Sequence, residues 1–141
     1  IVDNQADHNA GYLEDGLVSY GGGIYNAGAL TLVDSVLSRN VAANQGGGLH
    51  HDVTATSDLD TVAIAENTAG TGPDAAGDAF GGGIMHRYFT GEYDNLQLSN
   101  VAFSLNTPQD IVHNEVPLTA LREGPQPGIH YRTEDDESGS R

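Results

Sequence analysis

Cysteine, tryptophan and lysine are all absent from these 141 residues. Without cysteine there is no disulfide and no thiolate to act as nucleophile or metal ligand, which leaves packing and hydrogen bonding to hold the chain together. Without lysine, the cationic side chains are five arginines set against 20 acidic residues, a formal net charge of −15. That balance argues against nucleic acid or an anionic membrane as the main partner, and it fits a salty or extracellular setting. Aromatic residues make up only 6% of the chain, too few for the core of an ordinary compact globule, so the core has to be thin or layered. No run of about 18 apolar residues and no secretory leader pattern occurs, so neither a membrane-spanning segment nor a targeting element is in view. The length is that of one ordinary domain.

Glycine, by contrast, is plentiful at 19 residues, and it is placed with a period. The triplet GGG is followed by an aliphatic residue three times, as GGGI at 21–24, GGGL at 46–49 and GGGI at 81–84. With the triplets set in register, the rest of the chain aligns. Each triplet opens a short strand. A second strand follows, LTLVD at 30–34, SDLDT at 57–61 and LQLSN at 96–100, whose period-two alternation points Leu32, Leu59 and Leu98 the same way. A third strand ends in an apolar-x-x-Asn signature, LSRN at 37–40, IAEN at 64–67 and FSLN at 103–106, and IVDN at 1–4 matches it.

These features predict an all-β parallel β-helix (solenoid) of about three coils, with a basic repeat of about 25 residues. Coils stacked about 4.7–4.9 Å apart would bring equivalent residues into ladders along the axis. Leu37, Ile64, Phe103 and Ile1 form one predicted inward ladder, and Ile24, Leu49 and Ile84 a second. Asn40, Asn67 and Asn106 form a structural ladder at a corner, where Asn tolerates the left-handed conformation and bonds to neighbouring backbone. Extra residues before the first and third triplets, rich in Gly and Asp, read as loops extruded from one corner. Coils occupy residues 1–106; residues 107–141 hold a partial final coil, signalled by IVHN at 111–114, and an acidic tail. The first residues start at a third strand with no cap before it, so the chain is expected to be a fragment of a longer helix or a subunit whose coil another copy completes.

The paired GGG-apolar and apolar-x-x-Asn signatures resemble the GGA-apolar and Phe-x-x-Asn repeats of polymorphic outer-membrane proteins, and of related pectate-lyase-like right-handed β-helix surface proteins. The resemblance covers about residues 1–106. It departs from the pattern in having Gly as the third triplet residue, and only Phe103 of the apolar-x-x-Asn positions is Phe. The right-handed twist of the coil is implied by the resemblance. Such scaffolds include adhesins and polysaccharide-degrading enzymes, so function has to come from particular residues.

Candidate chemistry is sparse. His51 and His86 share a repeat position above Asn26 and would stack one coil apart, an arrangement that can hold a divalent metal but more simply lines a corner. Asp58 and Asp60, two apart on one strand, are the candidate catalytic pair if the chain is a glycoside hydrolase or a Ca²⁺-assisted lyase. Asp74 and Asp78 are candidate Ca²⁺ ligands, in a stretch that lacks the EF-hand spacing. The expectation is a non-catalytic structural or adhesive segment of a secreted or cell-surface protein, or an accessory subunit of a larger extracellular assembly. It would work without a cofactor, and its partners would be other chains, flanking coils or a polysaccharide. A carbohydrate-active enzyme or carbohydrate-binding β-helix is the alternative.

Overall fold

The computed structural model describes residues 1–6, 19–71, 80–87, 95–113, 116–118 and 129–131. Among them there is no helix. In chain order the strands are β1 (Gln5–Ala6), β2 (Ile24–Asn26), β3 (Ala29–Ser38), β4 (Val41–Ala42), β5 (Leu49–His51), β6 (Thr56–Ala65) and β7 (Thr68–Ala69). They continue as β8 (Ile84–His86), β9 (Leu96–Ser99), β10 (Ala102–Ser104), β11 (Ile111–His113), β12 (Val116–Leu118) and β13 (Ile129–Tyr131).

The strands form three sheets that the chain visits in a repeating order. A short sheet holds β1, β4 and β7. A glycine-led sheet runs β2, β5, β8, β11 and β12. In the long sheet β3 pairs one side of β6, and β9 and β10 pair the other, with β13 beyond β9. All pairs are parallel except β11 with β12. Parallel partners cannot be joined by a tight hairpin, so each strand's neighbour comes from a separate visit of the chain to that sheet.

Two details differ from the sequence expectation. The second and third predicted strands are a single ten-residue strand in β3 and in β6, bent in the middle. The bend is a left-handed residue, Asp34 at φ 47° and Thr61 at φ 56°, and its counterpart Asn100 at φ 51° separates β9 from β10. The third face of each repeat is made by the two-residue strands after the asparagines, which are too short to leave an alternation in the sequence. Likewise, the left-handed residue at the asparagine corner is not the asparagine. It is the residue before it: Asp3, Arg39, Glu66 and Leu105, with φ between 54° and 58°. The first glycine of each triplet supplies the remaining corner, with φ 67°, 68° and 63° at Gly21, Gly46 and Gly81. One positive-φ residue per corner turns the chain while its neighbours keep extended backbone for lateral pairing.

The triplets hydrogen-bond to one another across the stack, Gly22 N to the Gly46 carbonyl at 3.0 Å and Gly47 N to the Gly81 carbonyl at 3.1 Å. The middle glycine has no room for a side chain: a Cβ on Gly47 would lie 2.5 Å from the Thr68 carbonyl oxygen and 2.6 Å from that of Gly82. Apolar side chains of the sheets pack into one core cluster. Ile24, Leu49, Ile84 and Ile111 are in register on one sheet. Leu37, Ile64 and Phe103 are in register on the long sheet, as are Leu32, Leu59 and Leu98. Most of these are fully buried, and each such aliphatic contributes about 1.5–3 kcal/mol.

Three substitutions check this account of the corners. Gly47→Ala is expected to destabilise by about 1–3 kcal/mol or more, because backbone must move. Gly28→Ala, whose Cβ would meet nothing within 4 Å, is expected to leave the melting temperature nearly unchanged. Thr61→Asn, easing a β-branched residue out of an unfavourable left-handed conformation, is expected to raise stability by about 0.5–1 kcal/mol. Equal melting temperatures for the two glycine variants would contradict the packing described.

Candidate functional site

Four groups of polar side chains stand out among the described residues. The first is the asparagine column. Asn4, Asn40, Asn67 and Asn106 stack on successive passes, and each carboxamide oxygen accepts from the previous asparagine. Asn40 Oδ1 receives Asn4 N at 3.1 Å and Asn4 Nδ2 at 3.0 Å. Asn67 Oδ1 receives Asn40 N at 3.0 Å and Nδ2 at 2.9 Å. Asn106 Oδ1 receives Asn67 N at 3.1 Å and Nδ2 at 3.0 Å. The second hydrogen of each Nδ2 goes to the carbonyl of the aliphatic residue that opens the preceding signature: Asn40 to Ile1, Asn67 to Leu37, Asn106 to Ile64. Asn106 Nδ2 also donates to Asp110 Oδ1 at 2.8 Å. These groups are strapped to the backbone of their neighbours and have structural work to do.

The second group lies inside, where the glycine-led sheet faces the long sheet. His51 and His86 are register partners with ring centroids 4.9 Å apart and planes tilted by 57°. Asn26 Nδ2 donates to Ser57 Oγ at 2.9 Å, which leaves the hydroxyl hydrogen for His51 Nδ1 at 2.8 Å. His86 Nε2 donates to Asn95 Oδ1 at 3.0 Å. Both imidazoles are completely buried, and burial pushes the His51 pKa down to about 4, the Ala55 backbone and Asp52 opposing it. A metal held by this pair would need further ligands, and no group of three His, Asp or Glu converges among the described residues.

Asp58 and Asp60 form the third group. They alternate with the buried Ser57 and Leu59 and therefore share the outward face of the long sheet, half-buried. The structure brings them beside Thr31 and Gln97, and beside Val33 and Ser99, of the adjacent strands. Neither described arginine belongs to this face: Arg39 is in a bidentate ion pair with Asp3 at 2.7 and 3.0 Å, and Arg87 follows β8. Asp74 and Asp78 lie outside the described residues.

The fourth group was not anticipated. Tyr25 and His50, register partners on the outward face of the glycine-led sheet, stack with centroids 5.2 Å apart and planes 15° from parallel. Tyr20, which bridges to Gln45 beside the triplets, stacks on the same imidazole at 4.5 Å and lies 6.4 Å from Tyr25. Tyr25 Oη donates to Asp52 Oδ2 at 2.5 Å, and Asp52 Oδ1 accepts from Val53 N at 2.7 Å. The hydrogen bond holds the Asp52 carboxyl below the usual carboxylate range and raises the Tyr25 phenol. Arg87 sits over the Tyr20 ring, its guanidinium carbon 5.9 Å from the centroid. His50 is buried beneath the tyrosines, and that burial, with the Arg87 charge, pushes its pKa down to about 4 despite Asp52 nearby. The sequence carried one signal for this cluster, the shared position of Tyr25 and His50 after the triplet. The approach of Tyr20, Asp52 and Arg87 depends on how three passes stack.

No known protein family, curated protein or solved structure matches this chain.

Two outcomes follow. Asn67→Ala removes four side-chain hydrogen bonds and strands buried Asn40 donors, so it is expected to cost about 2–5 kcal/mol in chemical denaturation. Asn67→Asp should not rescue it, since a carboxylate cannot donate to Leu37 or Asn106, whereas Thr54→Ala, at an exposed turn, should change little. For pH, His50 and His51 are neutral in the folded chain and have ordinary values near 6.5 when unfolded. The unfolded state therefore binds more protons below that point. Their contribution is complete above pH 6.5 and is lost as the pH falls toward 4, up to about 2–3 kcal/mol for each imidazole. His50→Phe is expected to flatten this part of the stability profile; an unchanged profile would show that the acid sensitivity lies elsewhere.

Proposed function

We propose that the three sheets are the faces of a right-handed parallel β-solenoid of about three coils, serving as a stiff, non-catalytic structural or adhesive segment of a secreted or surface protein, or as an accessory subunit in a larger extracellular assembly. The carrying observation is the asparagine column with its flanking triplets: the polar groups that repeat most regularly bond one pass of the chain to the next. Such bonding resists bending along the stack and leaves the outward faces and corner segments to make contacts. Right-handed crossover is the strong rule for parallel connections, which favours that hand here. The surplus of negative charge supports an exposed, salt-bathed location and other proteins or saccharides as partners.

A carbohydrate-active enzyme is the second reading, favoured by Asp58 and Asp60 on one outward face. Incubating the purified chain with acidic and neutral polysaccharides, with and without Ca²⁺, separates the two. The expected result is no turnover. Cleavage that disappears in Asp58→Asn or Asp60→Asn would replace the structural reading with the enzymatic one.

A further inference from the structure

The outward cluster around Tyr25 has three properties that packing alone does not require. First, Tyr25 is the most open member of a set of near-parallel rings, 49% exposed, while its hydroxyl is fixed by Asp52 and its plane by His50. A ring held in orientation at both its edge and one face, with surface left to solvent, is a preorganised stacking platform. Second, Arg87 is half-buried and engaged by the face of Tyr20, and no carboxylate among the described residues lies within ion-pair distance of it. Its guanidinium donors keep their capacity for a bidentate acceptor. Third, the two ends are joined through Tyr20, which is 6.4 Å from the Tyr25 ring and 5.9 Å from Arg87, so that platform and cation occupy one small continuous area.

We propose that this area binds a saccharide carrying an anionic substituent. The apolar face of a pyranose ring lies on Tyr25, and a carboxylate or sulfate ester on that ring or the next meets Arg87. Asp52, held as the carboxylate by Tyr25 and Val53, takes a ring hydroxyl on its remaining lone pairs. Stacking supplies affinity that a strongly acidic protein cannot obtain from long-range attraction, and Arg87 supplies a local preference against that field. The proposal deepens the adhesive reading by naming where and what the surface holds, and it stands apart from the long-sheet carboxylates Asp58 and Asp60.

Calorimetric titration of the whole chain with glucuronate oligomers, sulfated glucose oligomers and neutral glucose oligomers of equal length is the test. At least one anionic series is expected to bind about tenfold or more tightly than the neutral one, the better of the two distinguishing carboxylate from sulfate recognition. Tyr25→Ala is expected to reduce that affinity by about tenfold or more, and Tyr25→Phe, which keeps the ring, by less. Arg87→Gln should erase the preference for the anionic series while weak neutral binding persists. Thr31→Ala, exposed on the long sheet, should bind as the parent does, with thermal melts showing each variant folded. Absence of binding, equal affinity for neutral and anionic oligomers, or binding indifferent to both Tyr25→Ala and Arg87→Gln would overturn the proposal. Cleavage of oligomers whose binding still depends on Tyr25 and Arg87 would support this site and overturn the non-catalytic reading instead.

Discussion

Stacking successive passes of a chain confronts every corner with the same difficulty: backbone groups that leave the sheets must find partners before they are buried. The asparagine column is the solution on which the rest of the structure depends. A carboxamide has two donors and an oxygen with two lone pairs, and here each interior oxygen takes two hydrogens from one neighbour while each Nδ2 serves a carboxamide and a backbone carbonyl. The need for glycine follows in part from this column. A Cβ on Gly23 would come within 3.0 Å of Asn40, and one on Gly48 within 3.2 Å of Asn67, besides approaching the glycine carbonyl of the next triplet at 2.7 Å. Asparagine and the third glycine are thus two halves of one contact.

How much of this was legible in the sequence depended on whether a feature repeats along the stack. The in-register leucines and isoleucines were legible, because burial imposes the same residue class at equivalent positions: Leu32, Leu59 and Leu98 are one example, Ile24, Leu49 and Ile84 another. The left-handed residue at the asparagine corner was not. Asp3, Arg39, Glu66 and Leu105 share no chemistry, and at Leu105, 79% exposed, the conformation is imposed by bonds on either side and not by its own preference. Thr61 makes the same point more sharply, since a β-branched residue would not be chosen from propensity for that backbone. The short strands after the asparagines were hidden because two residues cannot show a period. The ring cluster was hidden because its members come from separate passes, and β13 because it pairs with β9 from well beyond the recognisable repeat.

The interior is unusual in which polar groups it accepts. Among the described residues no carboxylate is buried in the apolar core, and the ionisable groups most deeply buried are imidazoles, the side chains that shed their charge most easily near neutral pH. His51 and His86 occupy volume between two sheets that an aliphatic pair would fill without hydrogen bonds; Ser57, itself bonded by Asn26, meets His51, and Asn95 meets His86. The pairing is partial: His51 Nε2 and Asn95 Nδ2 are buried without a hydrogen-bond partner, a cost that a dry interior makes high. The outward stack at His50 extends the same habit to the other side of the sheet, with tyrosine faces in place of amides.

The asparagine column also has a direction. From Asn40 to Asn106 each carboxamide oxygen takes hydrogens from the earlier pass, and in each link one Nδ2 hydrogen goes forward to the next carboxamide, so the amide dipoles have a common component along the axis, as peptide dipoles do in a helix. The positive end is at Asn106, and a carboxylate, Asp110, sits against it. The two ends are therefore chemically inequivalent: whatever meets the first must offer a hydrogen, and whatever meets the last must offer a lone pair. Two such stacks brought together head to head would set like poles against each other, whereas head to tail they would continue one unbroken polarised wire.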